Sequence, residues 1–258
     1  MSAYGAIPSP LNRSTGPLKT LVYPLQAKPG YSILVVHLTR ESAPSELIKL
    51  LHEDFEEELE SGKTYPQEGP MGRTAFEAYF FAADVFVGVL VPTAEAGSAE
   101  NESIEKARAG RDWDESVVGS YYICNAGFVV RPRFRRLGIG KVLGESYVRN
   151  APRLGYKASV FNLVYANNAG SLAIWDRLGF TRAGLIPKAG RLKTDKGEEY
   201  FDAVVEIKSV EFAVVGDQEH STSTQQYSSQ ADAFPNCILA IDYNCGVPEI
   251  QCTLFGNE

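Results

Sequence analysis

"GFVVRPRFRRLGIGKVLGESYV", residues 127–148, joins three kinds of residue in one short run. Phe128, Val129 and Val130 are strand formers, Arg135, Arg136 and Lys141 are cationic, and Val142, Leu143 and Val148 belong to an apolar helix. Gly138 and Gly140, with Ile139 between them, sit where strand gives way to helix. Glycines there let backbone N–H groups crowd together at a helix start, where unpaired amides and the helix dipole attract anions. The segment reads as strand, anion-binding turn and helix, with a pyrophosphate as the natural guest. The bland alternative is a glycine-rich turn carrying solvated arginines. Two common phosphate motifs fail: Val142 follows Lys141 where a Walker loop needs Ser or Thr, and Gly144 falls at the wrong spacing for the dinucleotide fingerprint.

Outward from this turn the chain alternates strands and helices. Upstream, "YSILVVHL" (31–38) is an apolar strand, and 42–62 a helix with Leu47, Ile48, Leu51, Phe55 and Leu59 near helical period. Ser42 is the expected N-cap and Gly62 the stop, and the acids from Glu53 to Glu60 are expected on a solvated face. Residues 72–81 read as a short helix, 83–91 as a buried strand, 93–116 as a polar surface insertion, and 116–125 and 127–132 as two strands. A helix is expected from Gly138 to about Arg153. Beyond it come a strand over 158–165, a helix over 168–178, and strands over 180–187 and 198–208. Residues 1–29 read as an N-terminal arm, 30–208 as the folded domain, and 209–258 as a Ser/Thr/Gln-rich tail with the composition of disorder.

Composition narrows the classes. The 258 residues carry a formal charge of −7, which argues against a broad nucleic-acid grip, and no apolar run reaches membrane-span length. The four cysteines show no metal-type spacing, Cys124 reads as a small buried thiol, and no metal site is expected. A reduced, cytoplasmic setting is expected. The acid-free first 40 residues resemble a mitochondrial leader in charge, but five prolines oppose the helix such a leader needs.

Arg135, Gly138 and Gly140 after a strand resemble the R-x-x-G-x-G turn of the GNAT acetyltransferases, which binds the pyrophosphate of acetyl-CoA. Asn168, Ser171, Trp175, Arg177, Gly179 and Phe180 resemble that family's second block, N-x-x-[AS]-x-x-x-Y-x-[KR]-x-G-F, with tryptophan in place of tyrosine. Within the family, "ESGKTYPQ" (60–67), "CNAGF" (124–128) and "LGYKASVFNLVYANNAGSLAIWDRLGF" (154–180) resemble a fungal group that acetylates the proline analogue azetidine-2-carboxylate. The resemblance implies an α/β (α+β) fold, with a mixed, mostly antiparallel sheet splayed at the acetyl-CoA site and flanked by helices. It also implies a homodimer, acetyl-CoA as co-substrate and a small secondary-amine amino acid as acceptor. By the same resemblance Asn125 holds the substrate carboxylate, and the backbone amides of Asn162 and Leu163 meet the substrate. Phe128, Val129, Val130, Arg135, Arg136, Gly138, Ile139, Gly140, Lys141 and Asn168 line acetyl-CoA, and Asn168, at the thioester sulfur, is the catalytic residue.

Trp175 sharpens the chemistry. Indole N–H does not titrate, so it cannot act as the general acid that the family's tyrosine supplies. A thiolate with a pKa near 8.5 is a tolerable leaving group, however, and a neutral donor such as the Asn168 amide suffices to stabilise it. Trp175 then packs. Asn168 as a plain helix N-cap, Asn162 as a bulge residue and Asn125 as a backbone partner are the bland alternatives. No general base is assigned, with the acids of "KGEEYFDA" (196–203) the nearest to consider. Two other functions stay open: acetylation of protein amines, and a silent acyl-CoA-binding module.

Overall fold

A computed structural model of the chain describes residues 16–67, 69–97, 103–123 and 126–209. The tail from 210 onward, Cys124 and Asn125 lie outside the described residues.

The domain begins inside the stretch read as an arm. Strand β1 (Leu21–Pro24) pairs antiparallel with β2 (Tyr31–Leu38), and Leu18, Tyr23 and Leu25 are buried. His37 anchors this entry: its Nδ1 accepts from the Leu18 N–H at 2.9 Å, and its Nε2 meets Asp84 Oδ1 at 2.7 Å. The Nδ1 contact leaves the ring proton on Nε2, pointing at the carboxylate.

Helix α1 (Ser45–Ser61) buries Leu47, Ile48, Leu51, Phe55 and Leu59 as its period requires. Two expectations for it are corrected. Pro44 stands at its N-cap with no side-chain cap, because the Ser42 hydroxyl is turned back to accept from the Thr39 N–H. Its acidic face is not wholly solvated either, since Asp54 and Glu58 are buried. Gly62 closes the helix in the left-handed conformation, as expected.

Helix α2 (Arg73–Phe80) and strand β3 (Asp84–Pro92) follow. The expected surface insertion instead holds three short helices, α3 (Thr93–Ala96), α4 (Ile104–Arg108) and α5 (Trp113–Ser116). Ala96, Ile104 and Ala107 pack into the core, so the polar composition of that stretch concealed a buried side. Then come β4 (Val117–Ile123), β5 (Phe128–Val130), a 3-10 turn (Pro132–Phe134) and α6 (Ile139–Arg153). The chain ends its described part with β6 (Ala158–Tyr165), α7 (Ala169–Arg177), β7 (Thr181–Thr194) and β8 (Gly197–Ser209). β7 runs well past residue 187, because its outer half is a polar two-stranded ribbon with no apolar pattern to announce it.

The strands form two sheets, ordered β1-β2-β3-β4-β5 and β6-β8-β7, every adjacent pair antiparallel. The α/β class with antiparallel strands and flanking helices is as expected. The single mixed sheet is not: among the described residues no ladder joins β5 to β6, so the expected splay is a complete separation. Aromatic side chains bridge it. Phe161 of β6 meets Phe128 of β5 at 6.1 Å, Trp175 at 4.6 Å and Phe180 at 5.0 Å between ring centroids.

Candidate active site

The phosphate-type turn is built by backbone conformation. Arg136 (φ 65°) and Gly138 (φ 84°) both adopt the left-handed region, which is rare for a residue with a Cβ and natural for glycine. The first helical bond of α6 runs from the Val142 N–H to the Gly138 carbonyl at 3.1 Å. The amides of Ile139, Gly140 and Lys141 therefore precede it without an intrahelical acceptor, at the positive end of the dipole. Such an arrangement suits an anion.

The cations expected there divide into two groups. Arg136 is exposed and has no side-chain partner among the described residues, while Lys141 keeps only an exposed i,i+4 contact to Glu145 at 3.1 Å. Arg135 is engaged elsewhere: its Nη2 meets Glu58 Oε1, and its Nε donates to the Val130 carbonyl at 3.0 Å. Arg131 is tied in the same way, to Asp54 at 2.8 Å and Asp114 at 2.5 Å. Asp54 and Glu58 are one helical turn apart on α1, matching two arginines also four residues apart. Burial pushes the Asp54 carboxyl up to about 6 although Arg131 opposes the shift, whereas the Arg131 hydrogen bond holds exposed Asp114 below its usual range. These two pairs were not anticipated. Their signal was the shared four-residue spacing of acids in α1 and arginines in the turn.

β5 is the edge of the first sheet and β6 the edge of the second. The bonds from the Tyr122 N–H to the Gly127 carbonyl and from the Arg131 N–H to the Val118 carbonyl, both 3.2 Å, set the alternation of the β4–β5 ladder. Val129 then spends its backbone on Ser120, whereas Phe128 and Val130 turn theirs to the open edge. Of the three β5 residues singled out, only these two present main-chain groups to the cleft. Across it, β6 is irregular between Phe161 and Val164: Asn162 and Leu163 stand opposite the single residue Val205 of β8. Such a bulge re-aims backbone groups and is frequent beside active sites.

Asn168 is the N-cap of α7, its Oδ1 accepting from the Ser171 N–H at 3.0 Å. The bland reading is thus true, and it is also informative. The cap decides which end of the amide is oxygen, so Nδ2 points away from the helix as a donor with no partner among the described residues. Trp175 is buried, donates from Nε1 to Ser171 Oγ at 3.0 Å, and packs on Phe128 at 5.1 Å. It is a wall. The acids of 196–203 lie on the exposed ribbon, Glu198 against Arg191 at 3.3 Å and Asp202 accepting from the Lys188 N–H at 2.8 Å. Among the described residues no group of three His, Cys, Asp or Glu side chains is placed to hold a metal ion. No described helix is long and apolar enough to cross a membrane.

A family model described as Acetyltransferase (GNAT) family matches residues 46–180, which spans α1, the turn and α7. N-acetyltransferase aca1 of Schizosaccharomyces pombe is 39% identical over 187 residues, covering 68% of this chain and 86% of that protein. Two solved structures share the fold with a TM-score of 0.50, each covering 69% of this chain and 99% of its own: a putative phosphinothricin N-acetyltransferase at 13% identity, and an N-acetyltransferase from Staphylococcus aureus Mu50 at 14%. Splayed antiparallel sheets, a glycine turn opening α6 and an asparagine-capped α7 agree with that match: the chain belongs to the GNAT family of acetyltransferases.

Proposed function

We propose that the chain transfers the acetyl group of acetyl-CoA to the amine of a small amino acid of the proline-analogue type, such as azetidine-2-carboxylate or a proline-pathway intermediate. The observation that supports the acetyl-transfer reading is the set of outward donors offered by the turn before α6, the open edge of β5 and the cap of α7. The amides of Ile139, Gly140 and Lys141, with Arg136, suit a diphosphate. The outward backbone N–H groups of Phe128 and Val130 suit a thioester carbonyl, to which a hydrogen bond strengthens as negative charge develops. The Nδ2 of Asn168 suits the sulfur. In the transfer the amine nitrogen bonds to the carbonyl carbon, the carbon–sulfur bond breaks, Asn168 stabilises the departing thiolate, and the amine proton passes to water. A small acceptor rests on the resemblance of Asn125, Asn162 and Leu163 to a carboxylate-holding set, and the bulge at 162–163 supports it. Homodimerisation and a cytosolic location belong to the same reading.

The test is thiol release from acetyl-CoA with a panel of proline analogues, with lysine peptides and N-terminal peptides in parallel. Turnover of the analogues alone is expected. Turnover of peptides alone would replace the small-acceptor reading, and tight acetyl-CoA binding without turnover of any amine would leave a binding module. Within this assay Asn168→Asp separates cap from donor. Its carboxylate still caps α7, so the melting temperature should hold, while kcat should fall roughly 100-fold or more for the lost donor. An unchanged kcat would remove Asn168 from the chemistry.

A further inference from the structure

The α1 and α2 side of the β4–β5 hairpin carries polar groups that the transfer described above does not use. The Tyr122 hydroxyl donates to the Tyr79 hydroxyl at 2.8 Å, and the Gln67 amide nitrogen approaches the same Tyr79 oxygen at 3.5 Å. Tyr65 lies beside them, close enough for its hydroxyl to interact with that of Tyr122. The cluster abuts the cleft: a Cβ on Gly127 would lie 2.3 Å from the Tyr122 hydroxyl, so that oxygen rests against the backbone immediately before Phe128. The carbonyl oxygen of Gln67 is buried and accepts no hydrogen bond among the described residues, an arrangement that costs free energy unless something donates to it. The neighbouring carboxylate, Glu58, is closed off by Arg135 on one oxygen and by Thr64 at 2.9 Å on the other.

Resting on the acetyl-transfer reading, we infer that Gln67 and the hydroxyls of Tyr65, Tyr79 and Tyr122 form the acceptor subsite, which takes the amine uncharged, with its N–H donated to Gln67 Oε1. This supplies what the transfer lacks. A secondary amine is mostly protonated at neutral pH, and only its neutral form carries the lone pair that attacks a thioester. The subsite offers neutral oxygens and no open counter-ion, so an ammonium entering it loses hydration without gaining a partner. Burial raises the Tyr65 and Tyr122 hydroxyls well above the usual tyrosine range, the same aversion to charge seen from the other sign. The proton therefore leaves to water before the amine is seated, and no dedicated base is required.

The experiment uses the full chain with acetyl-CoA and azetidine-2-carboxylate, comparing Gln67→Leu and Tyr79→Phe with the unaltered protein. Both variants should raise the KM for the amine roughly tenfold and leave the KM for acetyl-CoA unchanged; Gln67→Leu should keep the melting temperature, and Tyr79→Phe should lower it, because it removes the acceptor of the buried Tyr122 hydroxyl. Gln67→Glu adds the missing counter-ion, so its kcat should rise with pH along a curve displaced towards the alkaline side. Amine KM values and pH curves matching the unaltered protein in these variants, or a change confined to acetyl-CoA, would overturn the inference. Tyr79→Phe retains the ring, so it reports even if a Gln67 variant folds poorly. Should the unaltered protein acetylate no amine, the acetyl-transfer reading fails. If it does and the variants behave like it, only the subsite fails.

Discussion

The two sheets of this molecule are made to different standards. In the first, β3 and β4 are buried along almost their whole length, and α1 and α2 seal one face with interlocked phenylalanines. In the second, β7 is exposed along most of its course, Leu185 and Tyr200 are more than half exposed, and the local core is Tyr165, Leu192 and Ala203. The second sheet gains its cohesion from its neighbour, through Phe161 packed on Phe128 and on Tyr147 of α6, Trp175 packed on Phe128, and Phe180 packed behind both. The contrast shows how a cleft is kept open. Backbone hydrogen bonds would have zipped β5 to β6 and consumed the groups of Phe128 and Val130 that the cleft presents. Side-chain packing joins the same two strands without that ladder and leaves the Phe128 groups and the Val130 N–H available, the Val130 carbonyl being taken by Arg135.

If the aromatic bridge carries the second sheet, Trp175→Ala should be the most damaging single change. Deleting a buried indole typically costs about 3–5 kcal/mol, and here the loss should appear in chemical denaturation together with exposure of β6 to β8 in hydrogen exchange. Uniform loss across both sheets would show that they fold as one unit rather than one leaning on the other.

A smaller effect should come from the ion pairs of the first sheet. Asp54 holds its proton more tightly folded than unfolded, since burial raises its pKa from the ordinary value of about 3.9 to about 6. Its contribution is therefore full below the unfolded pKa and lost as pH rises through about 6. Relative to Asp54→Asn, the unaltered protein should lose up to about 3 kcal/mol between pH 4 and pH 7. Urea titrations at both ends of that range would measure it, and a flat difference would show that Arg131 fully compensates the burial.

The smallest change is expected where the first sheet reaches the cleft. Arg136→Gly relieves a left-handed residue and should stabilise by about 1 kcal/mol, while the dissociation constant for acetyl-CoA rises and its salt dependence weakens. Loss of stability in that variant would mean that the Arg136 side chain makes contacts that outweigh its backbone cost.

Much of this fold was legible because it is written in short-range periodicity. The apolar runs of β2, β3 and β6, the helical repeat of α1 and the glycines before α6 each state their structure within a few residues. The edge strand β1 and the helices of 93–116 were missed because their burial comes from what packs onto them, and short polar segments carry no period. In the candidate site, motif spacing made the strand, turn and helix legible, but not the partners taken there: Arg135 meets Glu58 and Val129 is paired to Ser120.

By itself the sequence determined the strand–turn–helix, the family and the presence of an amide donor at Asn168, since these depend on neighbours a few positions apart. Only the tertiary structure decided which charges are neutralised, which face of β5 is open, and that capping orients the Asn168 amide. Arg131 and Arg135 meet their carboxylates across 77 residues of chain, and no local pattern encodes a contact made at that separation.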